Sequence, residues 1–247
     1  MSRDTTVIRL RQPDAIDCDW STVELRAAAC VAGDAALADE LNSGRDFHRQ
    51  TAAAMAGIPV EQVTDDQRQA AKAVAFGSIY GMGPEGLVDA LWNGYQVEIS
   101  EDEAGEKLDR FFAKYRKLGL WCHSHAEKCT RDGLVRIGCG RVVEERWEPG
   151  GLRYTQMCNL PIQGICADAL MRAIILVNDH LEEAGIGGGL VAAVHDELLI
   201  EVPEGDPERA RDILERSMVD AFVDTFPGAQ TNGLAVAKIG RTWADVK

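Results

Sequence analysis

No C-x-x-C pair occurs among the seven cysteines of this 247-residue chain, and their number is odd. A disulfide framework is therefore not expected; scattered thiols of this kind suit small core residues in a reducing cytosol. The N-terminus lacks the apolar core of a secretory signal. No run of about 18 apolar residues is read, so neither a membrane span nor a membrane partner is expected. Internal repeats and low-complexity linkers are also missing. Positive charge is in short supply: the net charge is −14, which on its face speaks against a nucleic-acid partner. One group approaches a metal-ligand pattern, Cys122-His123-x-His125 followed by Cys129. Its spacing fits no common zinc scheme, and ordinary packing is the expectation.

What is present is unevenly distributed. Acid concentrates in 98–109 and 201–215, whereas between residues 110 and 146 Arg110, Lys114, Arg116, Lys117, Lys128, Arg131, Arg136, Arg141 and Arg146 outnumber the acids. A local basic face on an acidic protein remains compatible with phosphate binding, although a solvated mixed-charge surface is the commoner meaning of a charge run. The length allows one large domain or two small ones. "IDCDW" reads as a strand feeding the helix "STVELRAAACVAG", with Ser21 and Glu24 at capping-box spacing and Gly33 as the stop. "TDDQRQAAKAVAFGSIYGMG" reads as a helix opened by Thr64 and Gln67. The segment 100–133 reads as helical with an interruption near Gly119, and "LVRIGCGRVVEERW" as a hairpin. A long helix from Leu160 has Pro161 near its start and Gly185 past its end. "AAVHDELLIEVPE" reads as a tight hairpin with its charges at the tip, followed by an amphipathic helix and a last strand. Helices around a small, mostly antiparallel sheet give an α+β fold class.

Two carboxylates stand out: Asp19 at the end of the first strand and Asp196 at the hairpin tip, with Glu197 beside it as a third. Mg²⁺ takes oxygen ligands and is typically held by one or two carboxylates plus substrate phosphates. Two such ions would clamp the attacking and leaving oxygens of a phosphoryl transfer. An Asp at a strand end is, taken alone, usually a turn or capping residue. The second helix says more. Arg68, Lys72, Phe76 and Tyr80 recur every four residues, drifting about 40° per step, so they share one slowly rotating face. Two cations followed by two aromatics suit a ligand with a phosphate tail and a flat base. A core stripe is the competing reading, but it would not include Arg and Lys.

Three segments together resemble the polymerase core of family A DNA polymerases. "DCDWSTVELRAAACVAGD" resembles the family's motif A, usually D-Y-S-Q-I-E-L-R; "RQAAKAVAFGSIYGMG" resembles motif B; "VHDELLIEVPE" resembles motif C, centred on H-D-E. "DFHRQTAAAM", "NLPIQGICADALMRA" and the terminal "NGLAVAKIGRTW" add support, and the order is right. The resemblance implies a palm with a small antiparallel sheet, residues 1–33 and 126–247, and helical fingers, 34–125. Asp19 and Asp196 would hold two Mg²⁺ ions, with the Trp20 carbonyl as a backbone ligand and Glu197 in the second rank. Arg68, Lys72 and His48 would bind the triphosphate of a dNTP, Lys72 giving a proton to the departing pyrophosphate. Phe76 and Tyr80 would pack on the nucleotide and the nascent base pair. Glu24 would fill the space a ribose 2′-OH needs. Asn159 and Gln163 would probe the minor groove of primer-template DNA, where acceptors sit alike in both base pairs and so report pairing rather than sequence. His195 and Arg141 complete the expected DNA contacts. Without the resemblance, His48, His195, Asn159 and Gln163 read as ordinary structural polar residues.

The departures from the family pattern are Trp20 for Tyr, Thr22 for Gln, Gln69 for a frequent Arg and Ala75 for a frequent Asn. None removes a metal ligand or a phosphate cation. Motif A begins within 20 residues of Met1, where relatives carry several hundred residues including the thumb and a proofreading-type domain. The expectation is a split or minimal polymerase whose thumb and exonuclease-type parts come on a separate polypeptide, with a viral replisome as one setting. Two rival functions stand: a single-subunit RNA polymerase relative, and a non-catalytic DNA-binding or scaffold remnant.

Overall fold

The computed structural model describes residues 14–203 and 205–246; the N-terminal stretch read for a targeting signal and Glu204 lie outside them. The chain forms two compact units, one of residues 1–23 with 166–247, the other of residues 24–165.

The first unit is built on a four-stranded antiparallel sheet. Strands β1 (Asp14–Trp20), β4 (Gly189–Val194), β5 (Glu197–Val202) and β6 (Ala235–Gly240) lie in the order β4-β5-β1-β6. Every residue of β1 is buried except Asp19. Helix α9 (Pro207–Thr225) packs on β1 and β6. Trp20, 1% exposed, donates its indole N–H to the Met218 carbonyl at 3.2 Å and meets Phe222 edge-on at 6.3 Å. A buried ring of this size is worth roughly 3–5 kcal/mol against alanine, so the Trp that departs from the family's usual Tyr anchors β1 to α9. A one-turn helix, α10 (Trp243–Val246), follows β6.

The second unit is helical. Helices α1 (Val23–Ala32), α2 (Ala35–Leu41), α3 (Phe47–Ala56), α4 (Asp65–Ile79), α5 (Pro84–Tyr95), α6 (Glu101–Lys114) and α7 (Arg116–Asp132) precede a small hairpin of β2 (Leu134–Ile137) and β3 (Arg141–Glu144). The long helix α8 (Tyr154–Glu183) supplies residues to both units. Thr64 and Gln67 form the expected capping box of α4, and Ser100 and Glu103 form another on α6.

Four expectations are corrected. The break expected near Gly119 falls at Tyr115, and Gly119 lies within α7. Tyr115 is fully buried and gives its hydroxyl to Glu40 at 2.7 Å, so tertiary packing sets the break and not the local glycine. Helix α8 begins at Tyr154, six residues before the expected start, with Pro161 inside it. Helix α1 begins at Val23, two residues inside the expected start and directly after Thr22 at φ 54°, and Glu24 accepts the Tyr80 hydroxyl. Finally, α8 contains a window of mean hydropathy 1.7, long and apolar enough by composition to cross a membrane, where no such run was read. It carries Asp168 and Arg172, and Ala169, Ala173, Val177 and Leu181 form a buried stripe at four-residue spacing, the one-sided burial of an amphipathic helix. As for the Cys-His cluster, its members turn different ways. His123 pairs with Glu127 at 3.2 Å, while His125 stacks on Trp121 and meets Cys129 at 3.3 Å.

One carboxylate caps two helices. Asp34, 3% exposed, accepts the Leu37 amide at 3.2 Å as the N-cap of α2, and its other oxygen accepts the Leu118 amide of α7 at 3.0 Å. Both contacts neutralise amides that a helix start leaves orphaned. Asp34→Ala should cost about 2–3 kcal/mol in urea unfolding and Asp34→Asn about half of that; a loss below about 0.5 kcal/mol for the alanine variant would contradict the shared cap.

Candidate active site

In the first unit, the antiparallel pairing of β1 with β5 places Asp19 opposite Glu197, and the Trp20 amide donates to the Asp196 carbonyl at 3.3 Å. Asp19, on β1, and Asp196, in the turn that leads into β5, thus lie one register step apart. Asp19 is exposed and Asp196 half-buried. Glu197 is 7% exposed and accepts the Trp243 indole N–H at 2.7 Å, which holds its carboxylate in place. His195 and Asp196 form the two-residue tip between β4 and β5. His195 is exposed with φ 56°, a positive angle at the first central residue as the primed hairpin turns require. Thr22 and His195 are two of only three non-glycine residues with positive φ among the described residues, and each lies within three positions of a candidate carboxylate. Backbone strain of this kind, of order 1–3 kcal/mol, tends to collect at functional sites.

Two neighbouring carboxylates form a donor set of the oxygen type that a hard divalent cation takes, completed by water and substrate oxygens. Among the described residues no group of three or more His, Cys, Asp or Glu side chains converges to hold a metal by itself. The donor chemistry therefore suits an ion shared with a phosphate ligand rather than a closed structural site.

In the second unit, α4 carries the expected face. From Ala71 to Tyr80 every residue is buried except Lys72, Phe76 and Tyr80. The core stripe is the opposite side of the helix, which removes the competing reading of these positions as core. Phe76 lies between the His48 and Tyr80 rings, with centroids at 6.2 and 6.1 Å. Arg68 donates Nε to Asp46 at 2.7 Å, and Asp46 is also the N-cap of α3, accepting the Arg49 amide at 3.0 Å. Burial opposes the charge on Asp46, but the Arg49 amide and the Arg68 guanidinium outweigh it and hold its carboxyl below the usual range. No ion-pair partner of Lys72 appears among the described residues. The Tyr80 hydroxyl donates to Glu24, and Gln163 Nε2 donates to the other Glu24 oxygen at 3.3 Å. Glu24, Tyr80 and Gln163 are therefore one hydrogen-bonded group.

His48 is 6% exposed, and its Nδ1 has no hydrogen-bond partner. Desolvation first, then the charges of Arg68 and Lys72, push its pKa down to about 4, against the pull of Asp46. Asn159 Oδ1 is another buried atom with no hydrogen-bond partner in the structure. Orphaned buried groups are few in native proteins and each wants an explanation. Arg141, on β3, donates to the Gly164 carbonyl of α8 at 2.9 Å. A Cβ on Gly164 would run into Ile137 of β2, so only glycine lets the hairpin sit this close to the helix.

The pairing of Arg68 with Asp46, the Trp243 clamp on Glu197 and the Gly164 approach were not read from the sequence. Asp46 is legible as a helix cap before "FHRQ", but nothing local names Arg68 as its partner. Gly164 inside "PIQGICADAL" marked a close approach that the helical periodicity concealed.

The sequence model of DNA polymerase family A matches residues 5–245, and the chain belongs to that family. It is similar to DNA polymerase I of Aquifex aeolicus, 36% identical over 203 residues, which covers 82% of this chain and 35% of that protein. DNA polymerase I of Mycobacterium tuberculosis is 30% identical over 253 residues, covering 98% of this chain and 26% of that one. Among solved structures, the polymerase domain of Pol1 from M. smegmatis, in complex with DNA primer-template and dNTP, aligns with a TM-score of 0.82 at 26% identity. That match covers 99% of this chain and 42% of the other. The chain spans well under half the length of each of these relatives.

His48 makes stability depend on pH. Its folded pKa of about 4 lies below the ordinary 6.5, so the unfolded chain binds the extra proton between these values. Stability is unaffected above pH 6.5, falls as pH drops through this window, and the loss is complete near pH 4. The expected cost is about 3 kcal/mol. In His48→Gln, urea unfolding between pH 6.5 and 4 should lose a correspondingly smaller amount; the same slope in both proteins would refute the assignment.

Proposed function

We propose that this chain is the catalytic core of a template-directed DNA polymerase, transferring a nucleotidyl group from a dNTP to a primer 3′-OH. The observation that carries the reading is the face of α4: from Ala71 on, a buried helix side leaves only Lys72, Phe76 and Tyr80 half-buried, in line with Arg68. In this reading, residues 1–33 and 126–247 act as palm and 34–125 as fingers.

Arg68 and Lys72 would bind the triphosphate. Asp46 keeps the guanidinium of Arg68 oriented, and Lys72 would hand a proton to the departing pyrophosphate. His48, a neutral ring whose proton affinity burial, Arg68 and Lys72 lower, would join them at the triphosphate. Phe76 would pack on the incoming nucleotide and Tyr80 on the nascent pair. Glu24, tethered by Tyr80 and Gln163, would exclude a 2′-OH. Asn159, Gln163, Arg141 and His195 would contact the primer-template. Asp19 and Asp196, with the Trp20 carbonyl, would hold two Mg²⁺ ions, and Glu197 would support them. Magnesium, when bound there, supplies Lewis-acid activation of the 3′-OH and charge neutralisation at the leaving pyrophosphate. The net charge of −14 supports a further element of the proposal, that a separate polypeptide contributes the grip on the duplex. Processive extension by the purified chain alone at physiological salt would sink that element.

Asp19→Ala and Asp196→Ala should each lower single-nucleotide incorporation by at least about 10²–10³-fold with the circular dichroism spectrum unchanged; incorporation at the parent rate would refute the metal assignment. Glu24→Ala should raise the rNTP/dNTP incorporation ratio by roughly tenfold or more. Tyr80→Phe, which removes one tether of Glu24 and keeps the ring, should move the ratio the same way by less. An unmoved ratio in both would count against the steric role and would reopen the RNA polymerase reading.

A further inference from the structure

We propose that Cys122 of α7 and Cys158 of α8 form a reversible dithiol/disulfide pair, oxidised by a peroxide, that staples the two helices together. The proposal goes beyond the polymerase reading and does not depend on it. Cys122 is 1% exposed and Cys158 0%, and the two lie 36 positions apart in sequence. The Cys158 thiol donates to the Cys122 carbonyl at 4.0 Å, and the Cys122 thiol is hydrogen-bonded to the Cys158 sulfur. The sulfurs are thus direct neighbours across the contact of α7 with α8. Cys129, further along α7, meets His125 at 3.3 Å instead. A facing pair of free thiols, in a chain with no disulfide among its described residues, is the arrangement that transient, redox-sensing bonds use.

Two features separate this pair from ordinary buried cysteines, which are inert. The first is access. The Tyr154 ring and the Cys158 sulfur lie side by side against Gly81, where a Cβ would come within 2.9 and 3.1 Å of them. Tyr154 is 44% exposed and lines an open cleft of about 650 Å³ with Phe112, Arg116 and Leu120. A peroxide in that cleft is one ring away from the sulfur. The second is polarisation. Hydrogen bonds from the Cys122 thiol and the Tyr154 hydroxyl outweigh burial and hold Cys158 below the ordinary thiol value. Its role as donor, and burial, push Cys122 up. Cys158 is therefore the sulfur that reacts and Cys122 the one that resolves. The Cys158 thiolate attacks a peroxide oxygen; an S–O bond forms, the O–O bond breaks, and the departing oxygen takes the Cys158 proton as water. The Cys122 sulfur then attacks the sulfenic sulfur, forming the S–S bond and expelling hydroxide, which takes the Cys122 proton. Two thiols lose two electrons, and one hydrogen peroxide gains them and leaves as two waters.

The test treats the reduced, folded full chain with a small excess of hydrogen peroxide, alkylates the remaining thiols and maps the peptides without reduction. One disulfide, Cys122 to Cys158, should appear, with two thiols lost per chain and both recovered in dithiothreitol. The bond closes a long loop and restricts the unfolded chain, so the oxidised chain should unfold at a urea midpoint higher by roughly 1 M or more. Cys122→Ala and Cys158→Ala should each abolish the rise, and Cys129→Ala should keep it. Should an alanine variant not fold, mapping of the parent decides alone. Oxidation confined to the exposed Cys139 overturns the proposal. So do unreacted thiols throughout, pairing through Cys129, over-oxidation of Cys158 with Cys122 untouched, or a bond that forms only in urea. A mapped bond that lowers the midpoint overturns it too, since the folded helices then resist the staple. None of these outcomes touches the polymerase reading, whose tests measure incorporation.

Discussion

The pairing of β1 with β5 is the constraint on which the candidate metal site depends. In a strand, side chains alternate faces, so a slip of one residue would carry Asp19 away from Glu197 and Asp196 and bury it under α9. The core prevents that slip. Ile16, Cys18 and Trp20 are all within 1% of full burial, and the indole of Trp20 is fixed to the Met218 carbonyl. Asp19 is the one exposed residue of a strand otherwise closed on both faces. The carboxylate is thus presented by the hydrophobic effect acting on its neighbours: the energy that holds the site is spent at positions 16, 18 and 20, not at 19.

The helical unit solves a similar problem with polar pins. Helix α4 buries alanines, Val74, Ile79 and Gly77 on one side and can therefore lie close to its neighbours, leaving a narrow open stripe of long side chains. Those side chains would be mobile if nothing held them. Asp46 fixes Arg68 while starting α3, and Glu24 fixes Tyr80 while belonging to α1. Each anchor is itself part of a helix end or helix face whose position the core sets. Lys72 lacks such an anchor, which fits a group that must change partners as a ligand arrives and leaves.

Much of this was legible in the sequence, and the reasons are physical. The tip of "VHDELLIEV" is visible because two apolar strands collide with two charges and nothing else fits a turn there. The α4 face is visible because a four-residue recurrence of cations and rings cannot be a core. What failed to show were effects decided at a distance. The break between α6 and α7 is set by Tyr115 reaching Glu40 and by Asp34 capping Leu118, neither of which is local to the break. The helix from Tyr154 continues through Pro161 because the proline removes only one backbone donor from a helix packed on other elements. Helix α1 starts two residues later than expected, after Thr22 takes a backbone angle that its own side chain disfavours, and only the fold around it explains why it is kept there.

Charge sharpens the argument. A protein with a net charge of −14 gains little from long-range attraction to a polyanion. Whatever it binds of that kind must be held by short-range contacts, where a few correctly placed groups outweigh the sum. The second unit already commits most of its cations internally: Lys114 to Glu40, Arg49 to Asp65, Arg110 to the Met55 carbonyl, Arg146 to Glu144. Lys72 stands apart from these pairings and follows Arg68 along the half-buried stripe of α4. The acidic surplus then acts as a filter, making binding depend on the few positions where cation, ring and open space coincide.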